Sequence, residues 1–154
     1  MLPCKKILCP TDFSEASIEG LKAAAELAAQ FSAELLLIHV QPPVMNYVPS
    51  DWAETPMFDV ALFEQKQAED ARAKIEELSR TRVPEAVHRR TLVKLGSAAR
   101  EILETAAEEE ADLIVIATHG MTGWHRYLYG SVTQRVLQHA PCSVLVIRST
   151  APRG

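Results

Sequence analysis

The chain has 154 residues, of which 47% are hydrophobic and 23% charged, an ordinary globular composition that excludes a low-complexity or fibrous protein. Sixteen basic and twenty acidic residues give a formal net charge of −4, which argues against general binding of nucleic acids or anionic membranes, since both need a basic surface. Aromatic residues make up only 6% of the chain, too few for a base-stacking platform.

The cysteines and the apolar runs indicate the compartment. The three cysteines form no CxxC and no Cys/His ligand pattern, so neither a zinc site nor a thioredoxin-type site is indicated, and an odd number favours a reducing compartment. No apolar run reaches the roughly 18 residues of a membrane span, and Lys5 and Lys6 break the apolar start, unlike a secretory signal. We therefore expect a cytoplasmic protein that does not associate with membranes.

Short apolar runs alternate with segments of helical spacing along the whole chain. The predicted strands are 7–9, 35–40, 86–95, 113–116 and 144–147, and the predicted helices are 14–31, 58–82, 97–110 and 131–139. A proline-rich segment at 41–57 predicts a loop. The runs at 35–40 and 113–116 are continuous, which is typical of parallel strands covered on both faces. The order β-α-β-α-β-α-β-α-β therefore predicts an α/β fold, a single doubly wound domain over residues 1–154.

Polar residues follow two of the predicted strands at the points where those strands end. The first strand runs into Pro10-Thr11-Asp12, and the strand at 113–116 runs into Ala117-Thr118-His119-Gly120. Ligands of doubly wound sheets bind outside the carboxyl ends of the strands, where the strand order reverses. Gly130-Ser131-Val132-Thr133 then opens a helix, whose unpaired amides and two hydroxyl groups suit a phosphate. The motifs GxxxxGK[ST] and GxGxxG are absent from the sequence.

Several of these residues also have a purely structural interpretation. Asp12 could accept hydrogen bonds from its own turn, and His119 could satisfy loop backbone groups rather than face a ribose or phosphate. Gly130 could be an ordinary helix start, or it could supply the positive φ that a phosphate loop needs. His39, inside an apolar strand, is interpreted as a satisfied core histidine, and Cys9 and Cys142 as small buried hydrophobic residues. No combination of nucleophile, base and orienting group is visible, so efficient catalysis is not indicated.

Three segments of the sequence together resemble one known family. The pattern Ala117-Thr118-His119-Gly120, nine residues and then Gly130-Ser131 resembles the Gly-x2-Gly-x9-Gly-(Ser/Thr) loop of the universal stress proteins. The start KKILCPTDFSEAS and the end HAPCSVLVIRS resemble the first and last strands of that family, so that the resemblance covers a core of 5–148. It implies a sheet of five parallel strands with helices on both faces, similar to the adenine nucleotide alpha hydrolases, together with a homodimer and ATP binding.

The resemblance also implies which residues hold the nucleotide. Asp12 and Val40 would flank the adenosine, while the loop glycines and the helix start would hold the phosphates. The predicted cofactor site consists of Pro10, Thr11, Asp12, Val40, Ile116, Ala117, His119, Gly120, Gly130, Ser131, Val132 and Thr133. The sequence departs from the family at the first glycine of the motif, which is Ala117. An alanine there is unfavourable if the position needs a positive φ and tolerable if it needs only a small residue.

The leading hypothesis is a nucleotide-responsive universal stress protein that binds ATP, alone or with Mg²⁺, as a regulatory ligand. One alternative is a slow ATPase or self-phosphorylating protein, and another is a nucleotide-free dimeric interaction protein with a decayed loop. The apolar last strand predicts a homodimer through 143–148, because an apolar sheet edge is normally paired or covered. The alternative is a monomer whose edge is shielded by the 41–57 loop.

Overall fold

A computed structural model describes residues 3–44, 51, 59–119 and 130–150, and five strands alternate with four helices in this part of the chain. They are β1 (Lys6–Pro10), α1 (Glu15–Phe31), β2 (Glu34–Gln41), α2 (Val60–Arg82), β3 (Arg89–Leu95), α3 (Ala98–Glu108), β4 (Leu113–His119), α4 (Ser131–His139) and β5 (Ser143–Ser149). The predicted order is confirmed, and α4 has the predicted bounds. Two strands differ from the prediction by three residues at one end. β3 begins at residue 89 rather than 86, because a turn closed by Val87 N donating to Pro84 O precedes it. β4 continues to residue 119 rather than ending at 116, because its pairing with β5 extends through His119↔Ser149. Most of the predicted 41–57 loop lies outside the described residues.

The five strands form one parallel sheet in the order β3-β2-β1-β4-β5. The chain builds outward from β1 to β3 and then crosses over to build β4 and β5 on the other side. The strand order therefore reverses between β1 and β4, which confirms the doubly wound arrangement and identifies the edge where a ligand is expected.

Alternating side chains of the strands form two hydrophobic cores, one on each face of the sheet. On one face Ile7 and Leu37 pack with Leu21 of α1 and Ile75 of α2. On the other face the strands pack against α3 and α4, through buried residues that include Leu8, Ile38, Ile114, Ile102 and Val136. The helices thus cover both faces, as predicted. Among the described residues, no helix combines the length and apolarity that crossing a bilayer requires.

The cysteines differ in burial. Cys9 is 1% exposed, and burial raises the pKa of its thiol to about 12, which confirms its interpretation as a small core residue. The same expectation for Cys142 was wrong in degree, because this residue lies at the end of the sheet, just before β5, and is only partly buried.

Four charged residues form an ion-pair network at the amino end of the sheet, opposite the ligand edge. Arg90 contacts Glu34 at 2.6 Å and Glu109 at 2.5 Å, and Lys6 contacts the same two carboxylates at 3.8 and 3.2 Å. The hydrogen bond from Arg90 is the main reason why the pKa of Glu109 lies below its ordinary value. The network joins β1, β2 and β3 to the end of α3.

Candidate functional site

A cleft with a cavity volume of ≈ 190 Å³ opens at the carboxyl edge of the sheet, where the strand order reverses. Its described lining comprises Pro10, Thr11, Asp12, Ser14, Ala16, Ser17, Ile38, Val40, Ala98, Ile102, Ile116, Ala117, Val132 and Thr133. The structure thus brings together the predicted residues of β1, β2, β4 and α4. Ile38, Ile102, Ile116 and Val132 give the cleft aliphatic walls.

The remaining predicted residues lie beside the cleft or outside the described part. Gly130 and Ser131 are exposed at the start of α4 and directly precede the lining residue Val132. His119 is the last residue of β4; its side chain, like the whole of Gly120, lies outside the described residues.

Sequence reasoning missed the lining residues contributed by α1, β2 and α3. Ile38 precedes Val40 by two positions, and strand alternation alone puts both side chains on one face. Ala98 and Ile102 lie in the first turns of the helix that follows β3, and helices following parallel strands begin at the carboxyl edge of the sheet. Both signals were present in the sequence, but neither reveals how closely the elements approach.

The hydroxyl groups of Thr11, Ser14 and Ser17 all make hydrogen bonds within the β1–α1 turn, under the cleft. Ser17 Oγ donates to Ser14 O at 2.8 Å, so its single proton is used and it accepts from Thr11 Oγ1 at 3.0 Å. Thr11 Oγ1 in turn accepts from the Phe13 amide at 3.1 Å. Ser14 Oγ caps α1 by accepting from Ser17 N at 3.2 Å, as the sequence predicted. This network fixes the β1–α1 turn before any ligand arrives.

Asp12 has the turn-forming role that was considered as an alternative, and it also lines the cleft. Its Oδ1 accepts from the Ser14 amide at 2.9 Å, and its side chain is exposed. Desolvation raises the pKa of this carboxyl, but the hydrogen bonds that it accepts, chiefly from Ser14, outweigh that effect and leave the pKa below its ordinary value. Asp12 is therefore an anion at neutral pH with one oxygen engaged in the turn.

The start of α4 exposes backbone donors without a side-chain cap. Gly130 is the N-cap residue and makes no side-chain hydrogen bond, and the first helical bond runs from Gln134 N to Gly130 O at 3.0 Å. The preceding amides, of Ser131, Val132 and Thr133, have no partner within the helix. The expectation of a positive φ at Gly130 was wrong, because its φ is −60° and its ψ 160°, a conformation open to any residue. A Cβ at Gly130 meets no described atom within 4 Å.

Ala117, which the sequence resemblance aligned with the first glycine of a loop motif, has no backbone strain. Among the described residues, positive φ values occur only at Phe13, Ser32, Glu110 and Gly96. The Ala117 methyl group faces α1, where a Cβ built on Gly20 would lie 2.9 Å from it. The position therefore needs a small residue rather than a positive φ, and the glycine in α1 makes room for the alanine.

At the end of β2, the peptide group of Val40 has no backbone partner among the described residues on the side of the cleft. Glu34 N and Ile38 O bond to the residues that directly flank β1, whereas Leu35 N and Gln41 O bond on the β3 side. Even-numbered residues of β2 therefore turn their peptide groups toward β1. The β1–β2 register ends at Pro10↔Ile38. The N–H and C=O groups of Val40 therefore point toward the cleft, beyond the last paired residue of β1, and bond no described backbone group there.

His39 is a satisfied histidine, as predicted, and its partner lies in the cleft lining. Its Nδ1 is 2.9 Å from the carbonyl oxygen of Thr11. Its ring packs on Phe13 with the centroids 4.5 Å apart, on the sheet face opposite Val40.

Comparison with known proteins assigns this architecture to a family. The profile of the universal stress protein family matches residues 3–148. Universal stress protein MJ0531 of Methanocaldococcus jannaschii is 35% identical over 147 residues, which cover 94% of this chain and 82% of that protein.

Solved structures share the fold. The universal stress protein UspA from Lactobacillus plantarum has a TM-score of 0.70 at 30% identity, covering 96% of this chain and 100% of that one. A universal stress protein in complex with cAMP has a TM-score of 0.63 at 19% identity, covering 97% and 100% of the two chains, a likeness of fold. With the family profile matching nearly the whole chain and a relative 35% identical, the chain belongs to the universal stress protein family.

Proposed function

We propose that the chain binds an adenine nucleotide in the cleft and that ATP, alone or with Mg²⁺, is its regulatory ligand. The observation that carries this proposal is the combination of aliphatic walls with open polar groups at one strand-order reversal. Val40 and Val132, which line the cleft and are only partly buried, offer apolar surface to a flat base, and the Val40 peptide offers one donor and one acceptor to the base edge. A family structure in complex with cAMP is consistent with this class of ligand.

The charges in the cleft indicate the orientation of a bound nucleotide. Asp12 is anionic and repels phosphate, but its carboxylate can accept hydrogen bonds from ribose hydroxyl groups. The uncapped start of α4 favours phosphate, because its amides and helix dipole stabilise negative charge. The base therefore lies by Val40, the ribose by Asp12 and the phosphates at Gly130 to Thr133. We propose that occupancy of the cleft changes partner contacts or dimer geometry in a stress response.

Calorimetric titration with ATP and Mg²⁺ tests this proposal, and we expect a micromolar Kd. Gly130→Val places a branched side chain in front of the α4 amides and should weaken binding by at least about tenfold, a loss of ~1.4 kcal/mol. Gly130→Ala is the matched control, because the backbone accepts any residue and a Cβ has open space among the described atoms. The absence of heat and of a thermal shift at millimolar ATP in folded protein would refute the proposal. Phosphate release in the same samples distinguishes regulatory binding from turnover.

We also propose that the chain forms a homodimer through 143–148. β5 is an edge of the described sheet, Leu145 on it is 38% exposed, and Val144 and Val146 are partly buried. The opposite edge, β3, carries Arg90 and Lys94, and charged side chains discourage strand pairing. Leu145→Lys should therefore give a monomer in light scattering, and a dimer that survives this substitution would place the interface elsewhere.

A further inference from the structure

The hydrogen-bond ladder between β1 and β2 ends before the Val40 amide, although the geometry of a parallel ladder provides a further bond there. Its last bond runs from Thr11 N to Ile38 O at 2.8 Å. If the register Pro10↔Ile38 continued, the next bond of this parallel ladder would join the Val40 amide to the Thr11 carbonyl. This bond is not formed among the described residues.

His39 takes the acceptor that this missing bond would use. The Thr11 carbonyl lies 2.9 Å from His39 Nδ1, and because a carbonyl oxygen can only accept, Nδ1 carries the hydrogen. The side chain of His39 lies on the α2 face of the sheet, so the Thr11 carbonyl is drawn toward that face and away from the cleft.

Phe13 stabilises the same conformation of the β1–α1 turn. Its φ of 65° is left-handed, an unusual conformation for an aromatic residue, and it takes the chain out of the strand direction directly after Asp12. The Phe13 ring packs on the His39 ring at 4.5 Å, and Lys74 Nζ lies 5.8 Å from the Phe13 centroid. A strained backbone persists where its surroundings over-determine it, and here the surroundings are His39 and α2.

We propose that His39 is a positioning residue that keeps this last bond of the ladder open, so that the Val40 amide remains available to the base of a bound nucleotide. Without a donor at residue 39, the Thr11 carbonyl turns back, bonds the Val40 amide and extends the sheet into the cleft. The role in ligand recognition rests on the proposed nucleotide binding, whereas the open bond is a property of the ligand-free protein.

Two substitutions separate the donor of His39 from its ring. His39→Phe keeps a ring that can pack on Phe13 but has no N–H group. His39→Asn loses the ring but places an amide N–H near the position of Nδ1. Amide hydrogen exchange by NMR on the ligand-free proteins reports the state of the Val40 N–H, with the Ile38 amide of the same strand as internal control.

We expect the Val40 amide to exchange at least about tenfold faster than the Ile38 amide in the wild type and in His39→Asn, and to become protected in His39→Phe. ATP should bind His39→Phe about tenfold more weakly than the wild type, with His39→Asn restoring most of the affinity.

The exchange and affinity measurements can fail separately. A Val40 amide as protected as Ile38 in the ligand-free wild type overturns the open bond, whatever the variants do. The expected exchange pattern with unchanged ATP affinity in His39→Phe overturns the role in base recognition. If no variant binds ATP while the exchange pattern holds, the proposed nucleotide function fails and the open bond stands.

Discussion

Replacing Gly20 by alanine tests how closely α1 and β4 approach each other beside the cleft. A Cβ on Gly20 would lie 2.9 Å from the Ala117 Cβ and 3.4 Å from the Ala117 nitrogen. Carbon atoms in favourable contact are about 3.5–4.0 Å apart, so the two methyl groups overlap. Neither alanine has a rotamer that could relieve the contact, and the backbone of the helix or the strand has to move.

Two opposing effects set the magnitude. Alanine in place of glycine inside a helix is favourable by about 0.8–1.0 kcal/mol, whereas an added methyl in a packed interior costs about 1–3 kcal/mol. We expect the contact to dominate, so that Gly20→Ala lowers the free energy of unfolding by about 1 kcal/mol. Ala117→Gly alone loses up to about 0.8 kcal/mol of methyl burial and adds about 0.5–1 kcal/mol of glycine entropy in a strand.

The double variant Gly20→Ala/Ala117→Gly is decisive, because it moves the methyl group from the strand to the helix and removes the overlap. Its loss of stability should be smaller than the sum of the two single losses by about 1–3 kcal/mol. Urea unfolding of the four proteins, followed by circular dichroism, measures this coupling. Additive effects together with a Gly20→Ala variant more stable than the wild type would show that the two positions do not meet.

Three further results are expected. Thr105 Oγ1 is buried without a described hydrogen-bond partner, so Thr105→Val should raise the free energy of unfolding in urea by about 1 kcal/mol, whereas Thr105→Ala should lower it. The pKa of Glu109 is lowered by folding, so its contribution to stability is present above its ordinary value of 4.5 and is lost as the pH falls through the folded pKa; Glu109→Gln should flatten acid unfolding curves in that range. The Ala117 methyl group faces α1, so Ala117→Gly should leave the ATP affinity measured by calorimetry unchanged, and a clear loss would contradict this orientation.

The sequence predicts the elements of this fold well because their causes are local. The continuous apolar runs mark the buried strands, and Ser14 marks the start of α1 because a serine hydroxyl can cap its amides. The start of β3 was predicted three residues too early, since no residue of this strand is fully buried and its composition is mixed. Local sequence patterns predict the order of helices and strands along the chain, whereas the order of the strands within the sheet depends on long-range packing.

The candidate site was predictable only in part, because its geometry depends on distances between elements. The sequence singled out strand and helix ends, and most of the predicted residues line one cleft. Whether Ala117 is an obstacle depends on Gly20, nearly a hundred positions away, and the partner of His39 is the carbonyl of Thr11, 28 positions away. No spacing rule encodes such contacts, so the backbone at Gly130 and the open end of the ladder became visible only in the folded chain.

The ion-pair network of Lys6, Glu34, Arg90 and Glu109 has an evolutionary consequence. All four residues lie at the amino end of the sheet or next to it, and none of them lines the cleft. Contacts that hold the sheet together are therefore separated from the contacts that meet a ligand. Substitutions at the carboxyl edge can alter what the cleft accepts while the network and the two cores maintain the fold, which leaves that edge open to divergence.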